Sequence, residues 1–143
     1  MLLADSPKLT PGVWGPFYSA LFPGLWLMEG GQSSTGGLLD HVITSHPSYT
    51  GLVSLASEAG SSVFQVLDQR LDTLSRSDGG HVARLTRDLH VWPDYHGNRS
   101  PLADPSIKGA VVGLTLQSDL NSLALYYLAT VQVSSVWISR NTF

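Results

Sequence analysis

Cysteine is absent from all 143 residues, so no disulfide and no thiolate-bound metal can contribute to this chain, and its redox compartment leaves no trace. Charge is sparse: eight Lys and Arg with 11 Asp and Glu make up 13% of the chain and leave a net charge of −3. So few cations give no electrostatic case for binding nucleic acid or an anionic membrane. The same scarcity implies that some apolar surface is meant to be covered by something else. No apolar run reaches the ~20 residues of a membrane span. The most apolar stretch, residues 123–138, is broken by Gln132, Ser134 and Ser135. The opening MLLADSPKL has neither a basic flank nor a long apolar core, so it does not read as a secretory signal. These absences lead us to expect a soluble, cytoplasmic protein with no nucleic-acid or membrane partner.

What is present is glycine, proline and enough apolar residues, 43%, for one core. The stretch on which the chain turns is residues 29–41, EGGQSSTGGLLDH. Four glycines surround Ser33, Ser34 and Thr35, and Leu38, Leu39, Val42 and Ile43 follow at helical spacing. Backbone N–H groups left unpaired at such a helix start, with the positive end of the dipole, favour an anion such as phosphate. Ser33 or Ser34 would cap it. The plainer alternative is an ordinary capped helix behind a tight turn. The spacing matches neither the dinucleotide nor the Walker pattern, so spacing alone favours the plainer reading.

Along the chain, residues 1–12 show two prolines and no periodicity and read as a loop. Residues 13–20 and 25–29 are aromatic-rich and flank Pro23-Gly24, which predicts a hairpin. The helix over 33–45 should stop at His46-Pro47. A longer helical pattern runs from Leu52 to Leu74 and is interrupted at Gly60-Ser61-Ser62, where it should kink or split. It ends at Ser77-Asp78-Gly79-Gly80. Residues 85–92 read as a strand, 94–108 as a long polar loop, and 110–116 as a short extended segment. A last helix follows Ser118 as cap, with Leu120, Leu123, Ala124, Tyr127, Leu128 and Val131 on one face. No repeat or interdomain linker is visible.

The histidines His41, His46, His81, His90 and His96 have no metal-ligand spacing, so no metal site of protein side chains is assigned. Asp94, His96, Asn98, Arg99, Ser100 and Asp104 crowd the polar loop. Asp94 or His96 could act as a base. Nothing fixes a nucleophile beside them, however, and the simpler role is hydrogen bonding to irregular backbone, with Arg99 paired to a carboxylate. Trp14, Trp26, Trp92 and Trp137 read as core or interface.

Two stretches, WGPFYSALFPGLWLMEGGQSSTGGLLDHV and HVWPDYHGNRSPLADPSIKGAVVGLTL, follow one another at the spacing of the FGGY-family carbohydrate kinases, and resemble its D-ribulokinase-like subgroup. Pro23-Gly24 with EGGQS at 29–33 looks like the opening of that family's C-terminal domain. Gly97-Asn98-Arg99-Ser100-Pro101 is similar to its Gly-Glu/Asn-Arg-Ser/Thr-Pro loop, and residues 109–116 to the start of its second signature. The resemblance covers residues 11–132. It implies an α/β fold: part of an actin-like, ribonuclease H-like ATPase lobe, mixed strands followed by helices, with an incomplete sheet. Residues 1–143 would form a single partial domain with a divergent tail at 133–143.

By the same resemblance the parent activity is ATP- and Mg-dependent phosphorylation of a pentulose such as D-ribulose, or of a related ketopentose or polyol. Gly36 matches the family glycine near the nucleotide phosphates, and Asp40 a polar position beside the nucleotide. The resemblance thereby turns the reading of residues 29–41 toward the anion site. The family's Asp-x-Gly-Thr and Gly-Thr-Ser turns, its catalytic aspartate and its Gly-Gly adenine motif do not occur in the chain. No catalytic residue is therefore assigned, and the chain alone is expected to be inactive. The alternative is a non-catalytic interaction or nucleotide-binding fragment that pairs with another kinase lobe. The free chain should also show an open sheet edge and an uncovered apolar face on its last helix.

Overall fold

Leu27 and Met28 are buried while their neighbours are half-exposed, which seats the central strand of a small sheet. The computed structural model describes the backbone of residues 1–141 and the side chains of residues 1–134. It divides into two compact units, Met1–Thr35 with Trp92–Ala110 and the end of the last helix from Ser134, and Gly36–Val91 with Val111–Val133.

In the first unit β1 (Leu2–Ala4), β2 (Trp14–Tyr18) and β3 (Trp26–Glu29) form an antiparallel sheet in the order β1-β3-β2. The β2–β3 hairpin forms as expected. Tyr18 faces Trp26 across it, with ring centroids 4.9 Å apart, and Gly24 adopts φ 79° in the turn. The start of the chain, expected as a loop, is instead β1, pairing Leu2 with Met28 and Ala4 with Trp26. Three residues are too few to show a period, and here the waiting edge of β3 decides their conformation. Residues 93–109 form the long loop of this unit, pinned by a bridge between Asn98 and Asp104. β4 (His90–Trp92) and β5 (Ala110–Val112), on either side of that loop, pair as a two-stranded sheet.

In the second unit α1 (Thr35–Thr44), α2 (Tyr49–Glu58) and α3 (Val63–Ser77) surround the first turns of α4 (Leu120–Asn141). Gly60 at φ 58° ends α2, and Ser62 starts α3 with a reciprocal capping box. Its hydroxyl accepts from the Gln65 N–H, and the Gln65 amide oxygen accepts from the Ser62 N–H. The expected interruption is thus a complete split. Ile43, Leu52, Leu67, Leu71, Leu123, Ala124 and Leu128 make one core. Burying each of the leucines fully is worth about 1.5–3 kcal/mol.

The apolar face of α4, expected to be bare, is therefore covered by α1 to α3 through Leu123, Ala124 and Leu128. Its cap is Asp119 rather than Ser118: the Asp119 carboxylate accepts the Ser122 N–H at 2.9 Å, while the Ser118 carbonyl accepts the Ser48 hydroxyl. A carboxylate at that position also meets the helix dipole, which a hydroxyl does not. The expected strand at 85–92 shortens to β4. Val82–Arg84 is a 3-10 turn, and turn bonds Arg87 N–H to Arg84 C=O and Leu89 N–H to Thr86 C=O carry the chain to it. The even spacing of Leu85 and Leu89, four apart, fits one face of a strand as well as of a helix, and here the turn bonds decide. Buried Thr86 bonds the amide oxygen of Gln132 at 2.6 Å. Among the described residues no helix is long and apolar enough to cross a membrane. Trp137 and the rest of the divergent tail beyond Ser134 lie outside the described side chains.

Candidate functional site

Gly36 and Gly37 occupy the second and third positions of α1, whose first-turn N–H groups have no carbonyl partner within the helix. Helix propensity argues against glycine here by up to about 1 kcal/mol per residue relative to alanine. Nothing in the chain demands it at Gly36: a Cβ placed there meets no atom within 4 Å, and its φ is not in the left-handed region. The glycine keeps open a space that the chain itself does not fill. Asp40 lies one turn on with its carboxylate exposed, while its carbonyl accepts the Thr44 hydroxyl at 2.7 Å. The two expected site residues thus share one solvent-facing side of α1, as their i, i+4 spacing requires. Ser34 directly precedes the helix, as one of the two expected caps, but at φ 55° instead of the extended backbone usual for an N-cap.

The polar loop of the first unit shows what its crowded side chains do. Asp94, 3% exposed, accepts from the Asn98 amide at 2.9 Å, and the Asn98 carbonyl oxygen accepts from the Leu102 N–H at 2.8 Å. The Ser100 hydroxyl reaches back to the Gly12 carbonyl at 2.6 Å. Gly12 and Gly97 are both at positive φ, and a Cβ on either would strike the loop backbone, at the Pro101 carbonyl and at Pro105. Hydrogen bonds from the Ser106 hydroxyl and then its N–H hold the Asp104 carboxyl below its usual range. Asp94 and Asn98 are spent on loop architecture, as the plainer reading had it. His96 stays exposed.

Arg99 departs from expectation. Its guanidinium lies 4.2 Å from the Trp14 ring centroid, on an aromatic face, and among the described residues it pairs with no carboxylate. A planar, weakly hydrated cation gains from the ring's negative face. Trp14 in turn is near the glycine turn, since a Cβ on Gly31 would stand 3.9 Å from its ring. The adjacent Gln32 donates its side-chain amide to the Pro93 carbonyl at 3.2 Å and leaves its Oε1 buried, without a partner among the described residues. Sequence reasoning missed this cluster because Trp14, Gln32, Pro93 and Arg99 meet only through the β2–β3 hairpin and the long loop. It also missed a cavity behind α1, whose walls come from four separate segments. Within it His46 accepts the Ser48 N–H at Nδ1 and meets the Ser122 hydroxyl at Nε2, 3.3 Å away. Burial pulls the His46 pKa below its usual value, opposed in part by the Asp119 carboxylate.

Comparison with known proteins adds a chemical context to this geometry. Residues 1–138 match the model of the C-terminal domain of the FGGY family of carbohydrate kinases. An FGGY carbohydrate kinase domain-containing protein of Xenopus laevis is 53% identical over 132 residues, covering 92% of this chain and 24% of the relative. A D-ribulokinase of Saccharomyces cerevisiae is 42% identical over 136 residues, covering 94% of the chain and 19% of the relative. Ribulokinase 2 of Staphylococcus saprophyticus is 29% identical over 129 residues, covering 90% and 22%. The chain spans about a quarter of the length of these curated relatives.

Proposed function

The chain belongs to the FGGY family of carbohydrate kinases, and from that premise we propose that it supplies the nucleotide-side lobe of an ATP-dependent sugar kinase acting on a pentulose such as D-ribulose. The observation that carries this reading is the open, glycine-lined first turn of α1, with Asp40 one turn behind it. The unpaired N–H groups of that turn suit phosphate oxygens, and glycine at position 36 lets them approach the backbone. Asp40 would accept from a donor on the nucleotide's ribose or base. ATP brings the transferable phosphoryl group. Among the described residues no three His, Asp or Glu side chains converge, so magnesium would be held by the nucleotide phosphates and by groups other than a cluster in this lobe.

Phosphoryl transfer needs a base for the sugar hydroxyl and several charge-stabilising parts together. The chain's buried acid, Asp94, is engaged by Asn98 inside its loop. The 143-residue chain therefore binds nucleotide weakly and turns over no sugar by itself. The test is direct. ADP titrated into the chain should bind and be weakened by Gly36→Val, while D-ribulose with Mg-ATP should release no ADP above a heat-treated control. Sugar-dependent ADP release would overturn the assignment of a non-catalytic lobe. Binding of ADP untouched by Gly36→Val would remove α1 from the site.

A further inference from the structure

The cavity behind α1 belongs wholly to the second unit, and the nucleotide reading makes no use of it. Its volume is about 350 Å³, within the range of about 300–1,000 Å³ typical of small-molecule sites. Val42 and His46 line one side, Leu85 and Leu89 another, and Leu114 and Leu125 close it. At roughly 100° per residue, Val42 and Ser45 lie about 140–200° around α1 from Asp40, so the cavity faces away from the surface shared by Gly36 and Asp40. Its mouth is set by backbone. Gly113, at φ 95°, packs so closely on Asp88 that a Cβ there would fall 1.8 Å from the Asp88 carbonyl oxygen.

The hydroxyl protons of Ser45 and Ser122 and the ring of His46, all in the wall, are already engaged within the chain. The Ser45 hydroxyl donates to the His41 carbonyl at 2.6 Å, and the Ser122 hydroxyl to the Asp119 carbonyl at 2.7 Å. His46 accepts at Nδ1 from the Ser48 N–H, which leaves its proton on Nε2, toward the Ser122 oxygen. That arrangement rules out His46 as a base for Ser122, because the nitrogen facing the hydroxyl already carries hydrogen. A phosphate oxygen, which needs donors, would have to compete with backbone carbonyls for the Ser45 and Ser122 protons. Asp88, the acid at the rim, is solvent-exposed and pairs with Arg87 at 3.5 Å, so a cation finds no desolvated partner. What the cavity offers is apolar surface.

We propose that this cavity is a binding site for a small, uncharged, apolar ring compound, recognised by shape and burial and separate from the nucleotide face of α1. The proposal does not depend on the kinase reading. Indole is a suitable probe, followed by saturation-transfer NMR on the full 143-residue chain, with D-ribose and inorganic phosphate as polar comparators. Saturable indole binding is expected, weakened at least tenfold by Ser45→Trp, which fills the cavity from its exposed rim. Thr50→Trp, on the exposed side of α2, should leave it unchanged. Should circular dichroism show Ser45→Trp unfolded, Leu114→Gln decides, with an expected loss of threefold or more. Absence of saturable binding, or affinity equal in the chain and in a folded cavity variant, overturns the proposal. Ribose or phosphate displacing indole overturns the ligand class. Loss of indole binding as the chain self-associates would assign the cavity to a second copy instead.

Discussion

Arg99 and Trp14, 85 positions apart in the sequence, are stacked with the guanidinium carbon 4.2 Å from the ring centroid. The contact ties the long loop to the first residue of β2, and Ser100 on Gly12 ties it a second time one residue on. An exposed cation–π pair contributes about 0.5–1 kcal/mol. In a double-mutant cycle of Arg99→Ala and Trp14→Leu, followed by urea unfolding, the coupling should fall in that range. Arg99→Lys should keep only part of it, since an ammonium does not stack as a plane. Zero coupling would mean that Trp14 alone holds the loop.

Gly36 separates binding from folding. Alanine at this exposed helical position meets no steric obstacle, so Gly36→Ala should leave stability unchanged or raise it by up to about 1 kcal/mol. In the proposed site the added methyl crowds the approaching phosphate, so ADP affinity should fall about three- to tenfold. Placed in a complete relative, Gly36→Val should raise the KM for ATP well above that for sugar, because a β-branched side chain also resists the first helical turn. A KM for ATP within about twofold of the parent would reduce Gly36 to a turn residue.

The helices and the hairpin were legible because their signals are local. Pro23-Gly24, the break at Gly60-Ser61-Ser62 and the 3.6-residue spacing of Leu52 through Leu74 each state their structure within a few residues. Gly36 and Asp40 were named from the family resemblance, not from a local signal; the fold adds that both lie on the exposed side of α1. Pairings at long range were not. Nothing in LLA at residues 2–4 announces a strand, because β3 supplies the partner. Nothing near Arg99 announces Trp14, and a carboxylate partner was the natural expectation in a loop holding Asp94 and Asp104. The bare face expected on α4 failed for a related reason. Its cover comes from helices earlier in the chain, not later.

His46 gives the second unit a pH dependence of definite sign. Burial lowers its folded-state pKa, the Asp119 carboxylate opposes the shift, and Asp88 lines the same cavity. The unfolded imidazole titrates near 6.5. Between that value and the depressed folded one, the unfolded chain binds more protons, so the contribution of His46 is complete above about pH 6.5 and is lost as pH falls through the folded pKa. The urea midpoint should therefore drop more steeply on going from about pH 7.5 to pH 5 in the parent chain than in His46→Asn. Equal slopes would show that His46 is as readily protonated folded as unfolded.

Exposed apolar surface remains the chain's weak point, although not at Leu123, Ala124 and Leu128 of α4. In the first unit Phe17, Tyr18, Leu21 and Phe22 stand exposed at the hairpin tip, and β1 and β2 each pair along one side only within their sheet. In the second, Val112, Leu114 and Leu116 are exposed in succession, Leu116 completely. Unpaired edges beside apolar side chains favour pairing between molecules, and three such residues in five exceed the scattered exposure of ordinary surfaces. The isolated chain should bind a hydrophobic dye and associate as its concentration rises. Because Leu116 touches no core, Leu116→Ser should leave the melting temperature within about 2 °C, the change expected for a surface substitution of under ~0.5 kcal/mol. It should nonetheless cut dye fluorescence and shift sedimentation toward monomer. A monomeric, dye-negative parent chain would show that these side chains are tolerated singly in water, and that the chain needs no further cover.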